Sequence, residues 1–330
     1  IPPQTSTIAS HIPKAVGTAF SIDRSRDLNL QNRELKSNGL VLCSFGDASI
    51  NHATALSGFN TAKWVKSIGG SVPIIFICED NGYGISVPTP KDWVKNIFSK
   101  QYNMKYIDCD GLNIIDIINK SKIAQEYCRI NRSPVFFHMK TVRLMGHAGS
   151  DIESSYLPIS KIENVEKNDP LLHTSRILLE NKYLSLDEIL NLYENSRLRV
   201  SHVFEHATTK PRLLEATKVM ESIVPQVAEQ VTPPIPNRKS RENLFDKEFN
   251  RIDQPSHMAK LINFALKDIM LQYKNALIFG EDVAKKGGVY HITADLYNYF
   301  KVRRVFDSPL DETSIIGFAS GLAHNGFLPI

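Results

Sequence analysis

Two short clusters combine oxygen-bearing side chains with glycine: Gly46-Asp47-Ala48-Ser49 and Asp80-Asn81-Gly82-Tyr83-Gly84. A carboxylate and a side-chain amide that converge supply hard oxygen ligands for Mg²⁺, which takes few protein oxygens and completes its octahedron with phosphate oxygens and water. Glycine lets a phosphate approach the backbone, and a helix N-terminus facing that phosphate adds a favourable dipole. Taken singly these residues are ordinary, since Asp47 is more often a helix cap and Asn81-Gly82 more often a turn. Arg143 and His147 offer an anion two donors, but on composition alone such a pair is more often a solvated loop pair. Asp311 and Glu312 stand where acids commonly open a helix against its macrodipole.

The elements that must position these groups follow from the apolar pattern. From Leu40 to Val142, β-rich apolar runs (Leu40–Phe45, Pro73–Cys78, Met104–Asp108, Pro134–Val142) alternate with helix-like spacing over Ala53–Val65 and Leu112–Tyr127. That alternation predicts an α/β domain, a parallel sheet flanked by helices, with Ile12–Ile22 as a helix feeding the first strand. Both clusters then fall at carboxyl ends of strands, the edge where open α/β sheets bind ligands. After Ser150 come polar helical stretches, Asp169–Glu180 and Ser185–Arg199, followed by a proline-rich basic segment, 232–239, that reads as a linker. Beyond Gln254, a helix (Met258–Tyr273), two strands (Ala276–Asp282, Val302–Phe306) and a helix (Glu312–Asn325) begin a second α/β unit.

The 330 residues are 42% hydrophobic and 22% charged, a globular composition long enough for two domains. The net charge of +4 is spread along the chain, so nothing points to nucleic acid or to a polyanion-binding tail. Four scattered cysteines form no metal-binding spacing and read as reduced core thiols. With no apolar run approaching the roughly 20 residues a bilayer needs, and no signal peptide, the sequence reads as soluble, cytoplasmic and not membrane-bound. It begins without methionine and stops inside the apolar run Phe327–Ile330, as a fragment would.

Taken in order, the two clusters resemble the thiamine diphosphate motif, which opens with Gly-Asp-Gly and closes with Asn-Asn. The likeness extends to His11-Ile12-Pro13-Lys14-Ala15-Val16-Gly17, Gly58-Phe59-Asn60, Asn81-Gly82-Tyr83-Gly84-Ile85-Ser86 and Gly146-His147-Ala148-Gly149-Ser150-Asp151. These resemble the α-type half of the E1 component of 2-oxo acid dehydrogenases, over roughly residues 1–199. Ala276–Val283 and Arg304–Glu312 resemble the start of its β-type half, so the chain looks like a fused E1. The resemblance implies thiamine diphosphate and Mg²⁺ as cofactors, with Asp47, the Asn81 side chain and the Tyr83 carbonyl as metal ligands. It implies that Gly46, Ala48 and Ser49 line the cofactor site, that Arg143 and His147 contact the diphosphate, and that Ser6 and Ile8 touch the aminopyrimidine. Glu312 would hold N1′ of that ring as the catalytic acid/base. A carboxyl buried against the ring would have its pKa raised by desolvation.

The implied reaction is oxidative decarboxylation of a 2-oxo acid, with acyl transfer to a lipoyl-bearing E2 partner. The loop and β-half segments look closest to the branched-chain type, acting on 3-methyl-2-oxobutanoate. Pyruvate or acetoin dehydrogenase E1 is the runner-up, and a lipoamide-independent transferase or lyase the rival enzyme class. A non-catalytic nucleotide-binding module finds no GxGxxG or GxxxxGK[ST] to support it. The expected domains are 1–205 (α-type), a helical and proline-rich linker at 206–254, and 255–330 (β-type start), in a homodimer. Asp47 and Glu312 are expected to face each other across an interface, within one chain or between two. Ala48 and Asp80 depart from the motif, the interval between its ends is a little long, and Lys63–Ser71 looks like a surface insertion responsible for that length.

Overall fold

The computed structural model describes residues 7–31, 33–221 and 234–330. It is a mixed α/β structure in which parallel sheets are flanked by helices. Helix α1 (His11–Asp27) leads into β1 (Val41–Gly46), α2 (Ala53–Ser67) and β2 (Ile74–Asp80). A small antiparallel hairpin, β3 (Tyr83–Gly84) with β4 (Val87–Pro88), precedes α3 (Trp93–Phe98), β5 (Lys105–Asp110), α4 (Ile114–Asn131) and β6 (Val135–Lys140). The four long strands form one all-parallel sheet in the order β1-β2-β6-β5.

Alternation along the strands decides what packs where. Phe76, Cys78 and Phe136 join Phe45, Phe59 and Phe98 in the core beneath α1, α2 and α3, where Phe98 stacks on Phe136 with ring centres 3.9 Å apart. Ile75, Ile107, Val135 and Phe137 point the other way, onto Ala124 and Cys128 of α4. All four cysteines are buried and unpaired, and burial pushes the Cys43 thiol up to about 12 and that of Cys128 to about 11. Within Lys63–Ser71 the last turn of α2 runs to Ser67, with Val65 buried in the main core and Trp64, Ser67, Ile68 and Gly69 exposed.

After α5 (Ile159–Glu166) the chain forms α6 (Pro170–Glu180), α7 (Leu186–Thr208) and α8 (Ala216–Glu221). These lie in a separate compact unit, Asp169–Pro233. Helix α7 starts at a capping box, in which Ser185 accepts from the Glu188 N–H and Glu188 reaches back to the Ser185 N–H.

The remaining elements belong to the same compact unit as the first sheet, Ile1–Asn168 with Pro234–Ile330. They are α9 (Arg238–Phe245), α10 (Met258–Gln272), β7 (Ala276–Gly280), α11 (Leu296–Arg304), β8 (Val305–Asp307), α12 (Glu312–Ala323) and β9 (Leu328–Pro329), with a parallel sheet ordered β8-β7-β9. The expected strand at Val302 starts three residues later because α11 continues to Arg304. The Arg304 guanidinium ties that helix end to the carbonyls of Met270 and Ala276, at 2.7 and 2.9 Å.

What joins the halves is the crossing of α1 and α12. A Cβ on Gly17 would stand 2.1 Å from the Phe318 carbonyl oxygen, and one on Gly321 equally close to that of Lys14, so glycine at both positions permits the approach. Phe20, Phe279, Phe306 and Phe318 then carry the core under α1 into the second half.

Gly17→Ala is expected to lower the unfolding free energy by roughly 2–4 kcal/mol, the scale of a clash forced into a packed core, as measured by urea denaturation. In the second half, fully buried Lys267 pairs with Glu248 at 2.8 Å, and Lys260 meets the other oxygen. Partial burial works against this carboxylate's charge, yet the two ammonium groups prevail and hold its pKa below the ordinary value. Glu248→Gln should therefore destabilise by roughly 1–2 kcal/mol at neutral pH, mainly through the stranded Lys267. A depressed carboxylate stabilises above its unfolded value, so the deficit should be full above about pH 5 and shrink as pH falls through the folded value.

Candidate active site

The carboxyl ends of β1 and β2 meet the hairpin β3–β4. Leaving β1 at Gly46 in extended conformation, the chain enters a short 3₁₀ turn, Asp47–Asn51, before α2 begins. Asp47 is fully buried. Its Oδ2 accepts the Thr89 hydroxyl at 2.7 Å, while its Oδ1, also buried, has no hydrogen-bond partner among the described residues. Burial pushes the Asp47 pKa up and the neighbouring charge of Asp80 adds to this, against the opposing Thr89 hydrogen bond. A half-satisfied buried carboxylate is unfavourable unless something positive completes it.

The turn after β2 organises the second cluster. Asp80 Oδ1 accepts the Gly82 N–H at 3.2 Å and Asn81 Oδ1 the Tyr83 N–H at 3.1 Å, with Gly82 at φ +78°, a conformation glycine adopts without strain. The Gly82 carbonyl receives the Thr89 N–H at 2.9 Å, which closes the loop and delivers Thr89 to Asp47. Tyr83 stands opposite Pro88, which has no N–H to give its carbonyl. Ala48 fits despite replacing a glycine because residue 84 is itself glycine, and a Cβ there would lie 2.8 Å from the Ala48 methyl.

These residues fit a Mg²⁺ ion: the donors are all oxygen, and the unpartnered Asp47 Oδ1 marks where a cation would sit. Asp47, Asn81 and the Tyr83 carbonyl would hold it, beside Gly46, Ala48 and Ser49.

Arg143 borders the same place. With Asn81, Tyr83, Glu153 and Lys161 it lines a cavity of about 50 Å³, and its guanidinium lies 5.6 Å from the Tyr83 ring centre. It is already engaged, donating to the Ile85 carbonyl at 2.6 Å and the Tyr156 hydroxyl at 3.0 Å, with Glu153 at 3.4 Å. Its buried Nε has no partner among the described residues. The His147 ring is exposed, and its backbone N–H donates to Asp151 at 2.7 Å, which with Tyr156 and Arg143 holds the Asp151 carboxyl below the ordinary range.

Ile8 is 58% exposed, just before α1, and Ser6 lies outside the described residues. Glu312 opens α12 with its side chain exposed, not buried as expected. Its neighbour Asp311 caps the helix by accepting the Ser314 N–H at 3.1 Å. The Ser314 hydroxyl accepts that of Thr61 on α2 at 2.8 Å, so α12 is tied to the helix that follows Asp47. Sequence reasoning missed Thr89, an unremarkable threonine between two prolines, and His138, a lone polar residue inside the apolar run of β6, which donates to Asp80 at 2.7 Å.

Because Asp47 is charged in a place that disfavours charge, Asp47→Asn should stabilise the metal-free chain by about 1–2 kcal/mol at neutral pH. The sign follows from linkage: a carboxyl whose folded pKa is raised loses stability as pH rises through that value, so the gain should vanish toward low pH. Thermal unfolding across pH checks both.

Comparison with known proteins gives two matches along the chain. Residues 4–215 match the family model described as "Dehydrogenase E1 component", and residues 254–330 match "Transketolase, pyrimidine binding domain". The human mitochondrial 2-oxoisovalerate dehydrogenase subunit alpha is 28% identical over 212 residues, 63% of this chain and 44% of that protein. The Dictyostelium discoideum mitochondrial pyruvate dehydrogenase E1 component subunit alpha is 26% identical over 206 residues, 62% of this chain and 51% of that one. The chain thus spans about half the length of the curated relatives it matches. No helix among the described residues is long and apolar enough to cross a membrane. The first match covers most of the chain, and the protein belongs to the dehydrogenase E1 component family.

Proposed function

We propose that this protein is a thiamine-diphosphate- and Mg²⁺-dependent E1 enzyme that oxidatively decarboxylates a 2-oxo acid and passes the acyl group to a lipoyl-bearing E2. The observation that carries the reading is the buried Asp47 carboxylate, one oxygen unpartnered, beside Asn81 at the carboxyl ends of two adjacent parallel strands. In this reading residues 1–205 form the α-type half, 206–254 a connecting segment and 255–330 the start of the β-type half, in a cytoplasmic homodimer.

Bound there, thiamine diphosphate would supply a carbon nucleophile able to add to the 2-oxo carbonyl and to hold the charge left as CO₂ departs. This chain's part is placement. Asp47, Asn81 and the Tyr83 carbonyl fix the metal, and Gly46, Ala48 and Ser49 keep the approach to the backbone open. Arg143 turns to the diphosphate by releasing Tyr156 and Glu153, and His147 adds a second donor. Glu312 holds and moves a proton at the aminopyrimidine N1′, in surroundings that binding has to make water-poor, while Ser6 and Ile8 touch that ring.

The favoured substrate is the branched 3-methyl-2-oxobutanoate, because relatives named for 2-oxoisovalerate match at 28%. Pyruvate is the second reading, since a relative named for it matches nearly the same length at 26%.

The test is 2-oxo-acid-dependent ferricyanide reduction by the full chain, with and without thiamine diphosphate and Mg²⁺. Turnover should need both and favour the branched acid over pyruvate by about tenfold or more in kcat/KM. It should drop at least about a hundredfold in Glu312→Gln, the scale of a lost general acid/base. Faster turnover of pyruvate would reverse the substrate assignment. Cofactor binding without turnover of any 2-oxo acid would favour a transferase or lyase that never uses lipoamide.

A further inference from the structure

Asp80 ends β2 next to Asn81, close enough to Asp47 for its negative charge to disfavour that of Asp47. A carboxylate so placed and free to rotate would compete for the same cation. It is not free, because Oδ1 takes the Gly82 N–H and Oδ2 takes His138 Nε2 at 2.7 Å. His138 belongs to β6, in register with Cys78 of β2 on one side and Asp108 of β5 on the other, and is 1% exposed. With Nε2 turned to Asp80, its Nδ1 accepts the Tyr106 hydroxyl from β5 at 2.6 Å. The imidazole is therefore clamped across three neighbouring strands, and any rotation would break two hydrogen bonds in the interior, where unmade bonds are expensive.

We propose that His138 is a positioning residue for the metal and diphosphate site. Held from behind by Tyr106, it keeps the Asp80 carboxylate off the cation and fixes the Asp80–Gly82 turn, so that the Asn81 side chain and the Tyr83 carbonyl stay available beside Asp47. This rests on the cofactor reading above.

The experiment titrates the full chain with thiamine diphosphate at fixed Mg²⁺ by calorimetry, without substrate, and records the unfolding midpoint of each ligand-free variant. His138→Leu should weaken Mg²⁺-dependent binding about tenfold, as when a buried ionic group loses its partner. Tyr106→Phe, which removes one hydroxyl, should weaken it about threefold. Combining Asp80→Asn with His138→Leu removes the loose carboxylate together with its partner, and should recover affinity to within about threefold of the unaltered chain. A merely structural role would lower the unfolding midpoint in His138→Leu without rescue of affinity by the second change. Unchanged affinity in both single variants, or no rescue in the double variant, overturns the proposal. If His138→Leu does not fold, Tyr106→Phe decides by the same criterion. If the unaltered chain itself fails to bind the cofactor with Mg²⁺, the cofactor reading fails and the role of His138 falls with it.

Discussion

A carboxylate buried at the end of a parallel strand, with one oxygen hydrogen-bonded and the other not, is the constraint on which the arrangement turns. Taking Asp47 out of water is unfavourable by several kcal/mol before compensation, and the Thr89 hydroxyl together with the Asp47 and Asn81 backbone N–H groups still leaves its pKa raised. The surroundings are shaped accordingly. A hairpin folds back to bring Thr89 in, glycine at 84 gives Ala48 room, and the neighbouring Asp80 is restrained by His138. Each device accommodates a negative charge that the apo fold alone does not need and that a divalent cation would complete.

Holding such a site requires that the strand ends do not move. The sheet is packed on both faces, by the phenylalanine cluster under α1, α2 and α3 and by α4 on the other side. The α1–α12 crossing extends the first of these cores into the second half, and the Thr61–Ser314 hydrogen bond links the start of α12 to α2. Glu312 thus sits on a helix whose position is set by the same packing that sets Asp47, although its own side chain faces outward.

Much of this was legible in the residues. The apolar runs placed the four long strands, and α2 and α4 between them, to within a few residues, because the central strands β2 and β6, buried on both faces, must be nearly all apolar. The clusters at Asp47 and Asn81 were legible for a different reason: few oxygen-bearing residues combine with glycine at strand ends. What escaped was whatever depends on long-range geometry. Thr89 reaches Asp47 only through a hairpin of two-residue strands, and His138 meets Asp80 and Tyr106 only through strand order. Helix α11 was missed because its end is held by Arg304 and the carbonyls around it, not by apolar periodicity. Arg143 lines a cavity with Asn81 and Tyr83, and its engagement with Tyr156 and Glu153 could not be read from spacing.

The central claim is that Asp47 and Asn81 form a cation site completed by a diphosphate. Electron paramagnetic resonance of the full chain with Mn²⁺ in place of Mg²⁺ addresses it most directly, since Mn²⁺ accepts the same oxygen ligands. The account predicts a bound Mn²⁺ signal that needs thiamine diphosphate, carries coupling to phosphorus, and disappears in Asp47→Ala. Mn²⁺ bound equally well without the diphosphate, or a signal that survives Asp47→Ala, would contradict it.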